Sequence, residues 1–259
     1  MVEQVGSPWA PLASRVFRAL WLAVLVSNLG TWMQTVGAQW LLVGDPNAST
    51  LVSLVQTASA LPVVLLALPS GVLADNFDRR RLLLAVQLFQ AAVGAALTVL
   101  SAFGELGPAL LLVFTFALGA GAALSGPAFA ALTPELVPRS QLGAAAALGS
   151  VNVNLARAVG PALAGLMVAR LGVTAVFAVN TLSFMAYAAV LALWRPKDDP
   201  DGGVPERFLP ALRAGGRYVR WSPVVRRILF RCGTFVLPAT ALWALLPLVA
   251  TRRLGLGPG

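Results

Sequence analysis

The chain has 259 residues, 58% of them hydrophobic and only 11% charged, with a formal net charge of +9. Soluble domains carry about a quarter charged residues, so this composition, with a mean hydropathy of +0.80, describes a polytopic membrane protein. It has no histidine and one cysteine, Cys232, which excludes an internal disulfide, a His/Cys metal site and any His-dependent catalytic triad.

A bilayer core about 30 Å thick needs about 20 apolar residues in a helix. Seven such runs occur, at 16–43, 49–74, 82–103, 108–132, 142–168, 172–194 and 232–250. They are long and continuous, so they predict helices; a membrane barrel shows alternating segments of ~10 residues. The first run follows Arg15 and Arg18 but is too long for a signal-peptide core. It also holds polar Asn28, Gln34 and Gln39, and no small-residue cleavage site ends it. It is read as a retained span.

The basic residues concentrate on alternate loops, with Arg170, Arg252 and Arg253 as the exceptions. Arg15 and Arg18 precede the first span, Arg79 to Arg81 follow the second, Arg139 follows the fourth, and nine cationic residues occupy 195–231. The loops "GDPNAST" and "AFGELGP" have none. This asymmetry places the N-terminus and the 195–231 segment in the cytoplasm of a plasma-membrane protein. It also argues against nucleic acid as a partner, since no continuous basic face with interleaved aromatics exists. Lys197 is the only lysine among many arginines, which with abundant Ala and Gly suggests a GC-rich bacterial genome.

Within 195–231, "RPKDDPDGGVPE" reads as a linker. "RFLPALRAGGRYVRWSPVVRR" mixes Arg with Phe208, Leu212, Tyr218 and Trp221, as a helix lying at the membrane interface does. The expected organisation is a cytoplasmic N-terminus (1–14), a six-helix half-bundle (15–194), a cytoplasmic linker (195–231), and the first helix of a truncated second half (232–259). The fold class is all-α.

"GVLADNFDRRR" (71–81) puts five charges between two apolar runs. Pro69 and Gly71 are expected to interrupt the second helix, and Asp78 to Arg81 to form a turn. The arginines fix topology. Asp75, at a helix C-terminus, is badly placed for that helix's own dipole and better placed facing another helix or an Arg. The stretch resembles the loop between helices 2 and 3 of the major facilitator superfamily, with Gly71, Leu73, Ala74, Asp75, Arg79 and Arg80 on the pattern and Asn76 and Asp78 off it. "LARAVGPALAG" (155–165) is similar to the superfamily's glycine–proline motif through Gly160, Pro161 and Gly165. Pro161 there is expected to kink the helix, and small residues at 156, 160, 164 and 165 to permit close packing. "SNLGTWMQTVGAQWLL" and "LTPELVPRSQLGAAAAL" resemble the branch that includes the enterobactin exporter and macrolide-efflux proteins.

The resemblance implies a twelve-helix secondary transporter of which this chain is the N-terminal half plus helix 7. It further implies alternating access, a substrate site near the midplane between halves, and a cytoplasmic gating role for Gly71, Asp75, Arg79 and Arg80. Polar groups at membrane depth are costly and face the bundle interior. That makes Asn28, Gln34, Gln56, Asn152, Asn154, Arg157 and Asn180 the cavity candidates, with helix–helix hydrogen bonding the alternative role for each Asn and Gln. No carboxylate sits at the centre of spans 1 to 6, so proton coupling is not evident in this half. No cofactor or metal is expected. The functional expectation is export of drug-like or siderophore-like molecules through the lipid bilayer. The alternative is a truncated, non-transporting fragment or a half-unit that needs a separate partner. An intramembrane enzyme is excluded for want of paired intramembrane carboxylates or a phosphate-binding glycine loop with a Lys.

Overall fold

In the computed structural model, residues 7–195, 221–228, 230–232 and 234–235 are described. Six long helices dominate: α1 (Arg15–Leu42), α2 (Ala48–Asn76), α3 (Arg79–Ala102), α4 (Pro108–Leu136), α5 (Leu142–Leu171) and α6 (Val173–Leu193). All six are long and apolar enough to cross a membrane, and no strand occurs among the described residues. The chain is therefore an all-α polytopic membrane protein. Backbone groups without water must bond within the segment, and a continuous helix satisfies them.

Local chemistry sets the ends. Ser14 caps α1 by accepting a bond from the Phe17 N–H at 3.4 Å. Asp78 caps α3 by accepting from the Arg81 N–H at 2.6 Å. Gly172, at φ 81°, lets α5 pass into α6 with no loop between them. Two expectations need correction here. Pro69 and Gly71 do not end the second helix, which runs to Asn76. Pro69 lacks an N–H and so leaves the Leu65 carbonyl without its intrahelical partner, a local loss that membrane helices tolerate. The turn after α2 is also shorter than expected: only Phe77 and Asp78 lie outside helix, and Arg79 to Arg81 form the first turn of α3 under the Asp78 cap.

The helices pack in the order α2, α4, α3, α6, α1, α5. Advancing every helix by three maps the main pairings onto one another: α1–α5 onto α4–α2, and α1–α6 onto α4–α3. Because α1 and α4 run in opposite directions, the six helices form two inverted three-helix repeats. Among the described residues four apolar clusters result, of which two lie toward opposite ends of the bundle. One, with Leu42, Leu97, Leu111 and Phe177, lies toward the α1–α2 and α3–α4 connections. The other, with Leu20, Leu83, Leu132 and Leu191, lies toward the arginine-rich connections. Buried Gln34, Gln87, Gln90, Asn152 and Asn180 fill the depth between them.

Two compact units, residues 1–208 and 209–259, make up the chain. In the second, residues 223–228 are helical, and Ser222 accepts from the Val225 N–H at 3.4 Å. Most of the interfacial segment, at 196–220, and most of the seventh span, from 236 onward, lie outside the described residues.

Candidate functional site

Three features stand out: the charged turn between α2 and α3, a polar chamber at mid-depth, and a cleft between α4 and α5.

At the charged turn, the Arg79 Nη1 pairs with the Glu135 carboxylate at the end of α4. Both side chains are partly exposed, so the pair contributes at most about 1 kcal/mol. The Arg80 Nε donates to the Leu191 carbonyl at 2.7 Å and its Nη2 to the Ala192 carbonyl at 2.8 Å. These are the orphan carbonyls at the end of α6, where a cation also meets the negative end of the helix dipole. Arg79 and Arg80 thus staple the turn to α4 and α6 of the same six-helix unit. Asp75 differs: it is exposed and makes no hydrogen bond or ion pair among the described residues. A Cβ added at Gly71 would meet nothing within 4 Å. Among the described residues, this end of α2 therefore presents an unpartnered carboxylate beside a glycine with room for a contact.

The mid-depth chamber has a volume of about 80 Å³ and draws its lining from α1, α2, α3, α4 and α6. Its polar lining includes Gln34, Ser59, Gln90, Thr115 and Asn180. Asn180 donates to the Gln34 carbonyl oxygen across α6 and α1, and Gln90 donates to the Leu118 carbonyl at 3.2 Å across α3 and α4. Gln34 and Asn180 thus serve as interhelical ties and as lining. Asn28 and Asn152 are ties. The Asn28 amide donates to the Asn152 Oδ1 at 2.8 Å, Asn152 donates to the Trp21 carbonyl at 2.9 Å, and the Trp21 indole N–H donates to the Leu148 carbonyl at 2.9 Å.

Gln56, Asn154 and Arg157 are exposed on α2 and α5, the two end helices of the packing order. Arg157 is near the midpoint of α5, and its Nη2 donates to the Asn154 Oδ1 at 2.8 Å. A guanidinium at mid-bilayer costs at least ~2.5 kcal/mol if it faces lipid. In the motif around it, Ala156, Gly160 and Ala164 are buried, Gly160 against Leu29 and Trp32 of α1 and Ala164 in a cluster with Met33 and Val176, whereas Gly165 is exposed. The helix continues through Pro161.

The cleft between α4 and α5 has a volume of about 650 Å³ and ends, at mid-depth, on Asn154. Sequence reasoning missed Glu135, Gln87, Gln90, Thr115 and the cleft itself. Gln87 and Gln90 had a readable signal, being amides well inside an apolar run. Glu135 gave none, because only folding brings it to Arg79.

A family model described as "transmembrane secretion effector" matches residues 6–259. The MFS-type transporter YfiS of Bacillus subtilis is 32% identical over 67% of this chain and 40% of its own length. Macrolide efflux protein A of Streptococcus pyogenes is 24% identical over 90% of this chain and 58% of its own. The multidrug efflux pump Tap of Mycobacterium tuberculosis is 29% identical over 85% of this chain and 54% of its own. The chain thus spans about half the length of these relatives. No solved structure matches it. With six membrane-spanning helices in inverted repeats and a family match along nearly its whole length, the chain belongs to the transmembrane secretion effector family of the major facilitator superfamily, a family of transporters and not of enzymes.

Proposed function

We propose that the chain forms one half of a secondary transporter that exports small drug-like or siderophore-like molecules across the plasma membrane by alternating access. The carrying observation is the placement of Arg157. A guanidinium on an exposed face at the middle of α5 is tolerable only beside water or protein, not lipid. The faces of α2 and α5 that bear Gln56, Asn154 and Arg157 therefore line an aqueous path, with a second helical unit as its opposite wall. The names of the relatives, macrolide efflux protein and multidrug efflux pump, support this direction and substrate type. The bare carboxylate of Asp75, next to bare Gly71, supports a gating contact with that second unit. Arg79 and Arg80 serve the gate by holding the turn rigid.

The test is whole-cell accumulation in an efflux-deficient bacterium, with the chain expressed in its complete reading frame and dyes, macrolides and siderophores as substrates. Lower accumulation of at least one class is expected. Unchanged accumulation at normal membrane levels overturns the exporter reading in favour of a half-unit that does not transport.

The arginine-rich end is assigned to the cytoplasm. In a Cys232→Ser background, Glu105→Cys is expected to react with a membrane-impermeant maleimide in intact cells. Ser140→Cys is expected to react only after permeabilisation. The reverse pattern inverts the topology.

A further inference from the structure

The cleft between α4 and α5 has a chemical polarity that the transporter reading does not use. Its walls are mainly apolar, with Phe129 and Pro134 from α4 and Leu142 and Val153 from α5. Its mid-depth end is Asn154. The Asn154 amide donates to the Ser150 carbonyl at 2.9 Å, and its Oδ1 accepts from Arg157 at 2.8 Å. The guanidinium is thereby held one hydrogen bond from the cleft wall. It is a fork of five N–H donors, and only one of them is engaged among the described residues.

Among the described residues the charge has no counter-ion at its own depth. Asp45 and Glu105 lie at one end of the bundle, and Asp75, Asp78 and Glu135 at the other. The sole ion pair among the described residues is that of Arg79 with Glu135. An apolar trough of about 650 Å³, within the range of drug-sized sites, therefore ends on Asn154, one hydrogen bond from a planar cation that has no ion-pair partner among the described residues. Such a cation pairs bidentately with a carboxylate or sulfonate.

We propose that this cleft binds an amphiphilic monoanion, its acidic head on Arg157 and its apolar body along Phe129, Pro134 and Val153. The occupant is a free amphiphile and not a bilayer phospholipid. A phospholipid head group rides at the interface, whereas Arg157 is about 20 Å along α5 from either end of that helix. As a statement about what is exported, the inference rests on the transporter reading; as a statement about binding, it does not.

The experiment uses the purified chain in phosphatidylcholine nanodiscs and two fluorescent probes of matched shape, anilinonaphthalene sulfonate and its uncharged parent N-phenylnaphthylamine. After subtraction of empty discs, the sulfonate is expected to bind about tenfold more tightly, the difference that one charge-assisted pair supplies. Arg157→Gln removes that preference and leaves the neutral probe unchanged, and Arg157→Lys keeps part of it. Ala146→Trp, which fills the cleft and leaves the charge in place, weakens both probes and serves if Arg157→Gln misfolds. Equal binding of the two probes by the unaltered chain overturns the proposal. So does a sulfonate preference that survives Arg157→Gln, or loss of sulfonate binding in discs rich in phosphatidylglycerol, which would assign the site to lipid. Binding that persists when whole-cell export fails condemns the transporter reading and leaves this one standing.

Discussion

Gly160→Leu is expected to force α1 and α5 apart and to lower the stability of the six-helix unit more than any other single change on α5. A Cβ at position 160 would sit 2.6 Å from the Cβ of Trp32. Neither atom is the far end of a flexible chain, so relief has to come from backbone movement. Overpacking of this kind costs about 1–3 kcal/mol, and for a chain of this size each kcal/mol lowers the melting temperature by roughly 2–4 °C. The same interface carries the reciprocal bonds between Trp21, Leu148, Asn28 and Asn152, which loosen as the helices separate. Thermal unfolding followed by tryptophan fluorescence in detergent measures the effect. Gly165→Leu is the control, because a Cβ there meets nothing within 4 Å. It is expected to leave unfolding unchanged. Equal destabilisation by the two variants would show that α1 does not pack on the Gly160 face.

Asp75→Asn is expected to abolish most export while leaving membrane level and thermal stability intact. Asp75 is exposed and unbonded among the described residues, so neutralising it removes no contact inside this unit. Its proposed work is done in one transport state, against the second helical unit. Removing an interaction made in only one of two states shifts their balance by the coupling energy, typically 1–3 kcal/mol. Roughly tenfold slower efflux corresponds to about 1.4 kcal/mol. Asp78→Asn is the companion variant. Asn caps a helix as well as Asp does, so α3 keeps its start and efflux stays normal. Parallel loss in both variants would reduce the turn to a topology signal, and normal efflux in Asp75→Asn would remove the gate.

The six spans were readable because the bilayer imposes one length and one composition on anything that crosses it. Their ends were less so. The second helix was expected to be interrupted at Pro69 and Gly71, yet it runs to Asn76, because a proline removes one bond from an otherwise continuous ladder. The candidate polar residues were equally visible, since an Asn or Gln in an apolar run is conspicuous. Their sorting was not. Asn152 and Arg157 look alike as polar interruptions of α5, but five residues turn the helix far enough to bury one against Trp21 and leave the other exposed.

By itself, the sequence determined the class, the six spans, the likeness of its charged turn and glycine–proline motif to one superfamily, and the uneven sharing of arginines between loops. These follow from local rules of apolar length, motif spacing and charge placement. Only the tertiary structure decided that Arg79 belongs to Glu135 and Arg80 to the end of α6, and that Asp75 is left over. It alone showed that α4 and α5 leave a cleft whose inner end is Asn154, which in turn holds the Arg157 guanidinium. Those facts depend on which helices become neighbours. Between apolar helices in lipid, that choice is made by small-residue contacts and buried amides spread over the whole chain, not by any single segment.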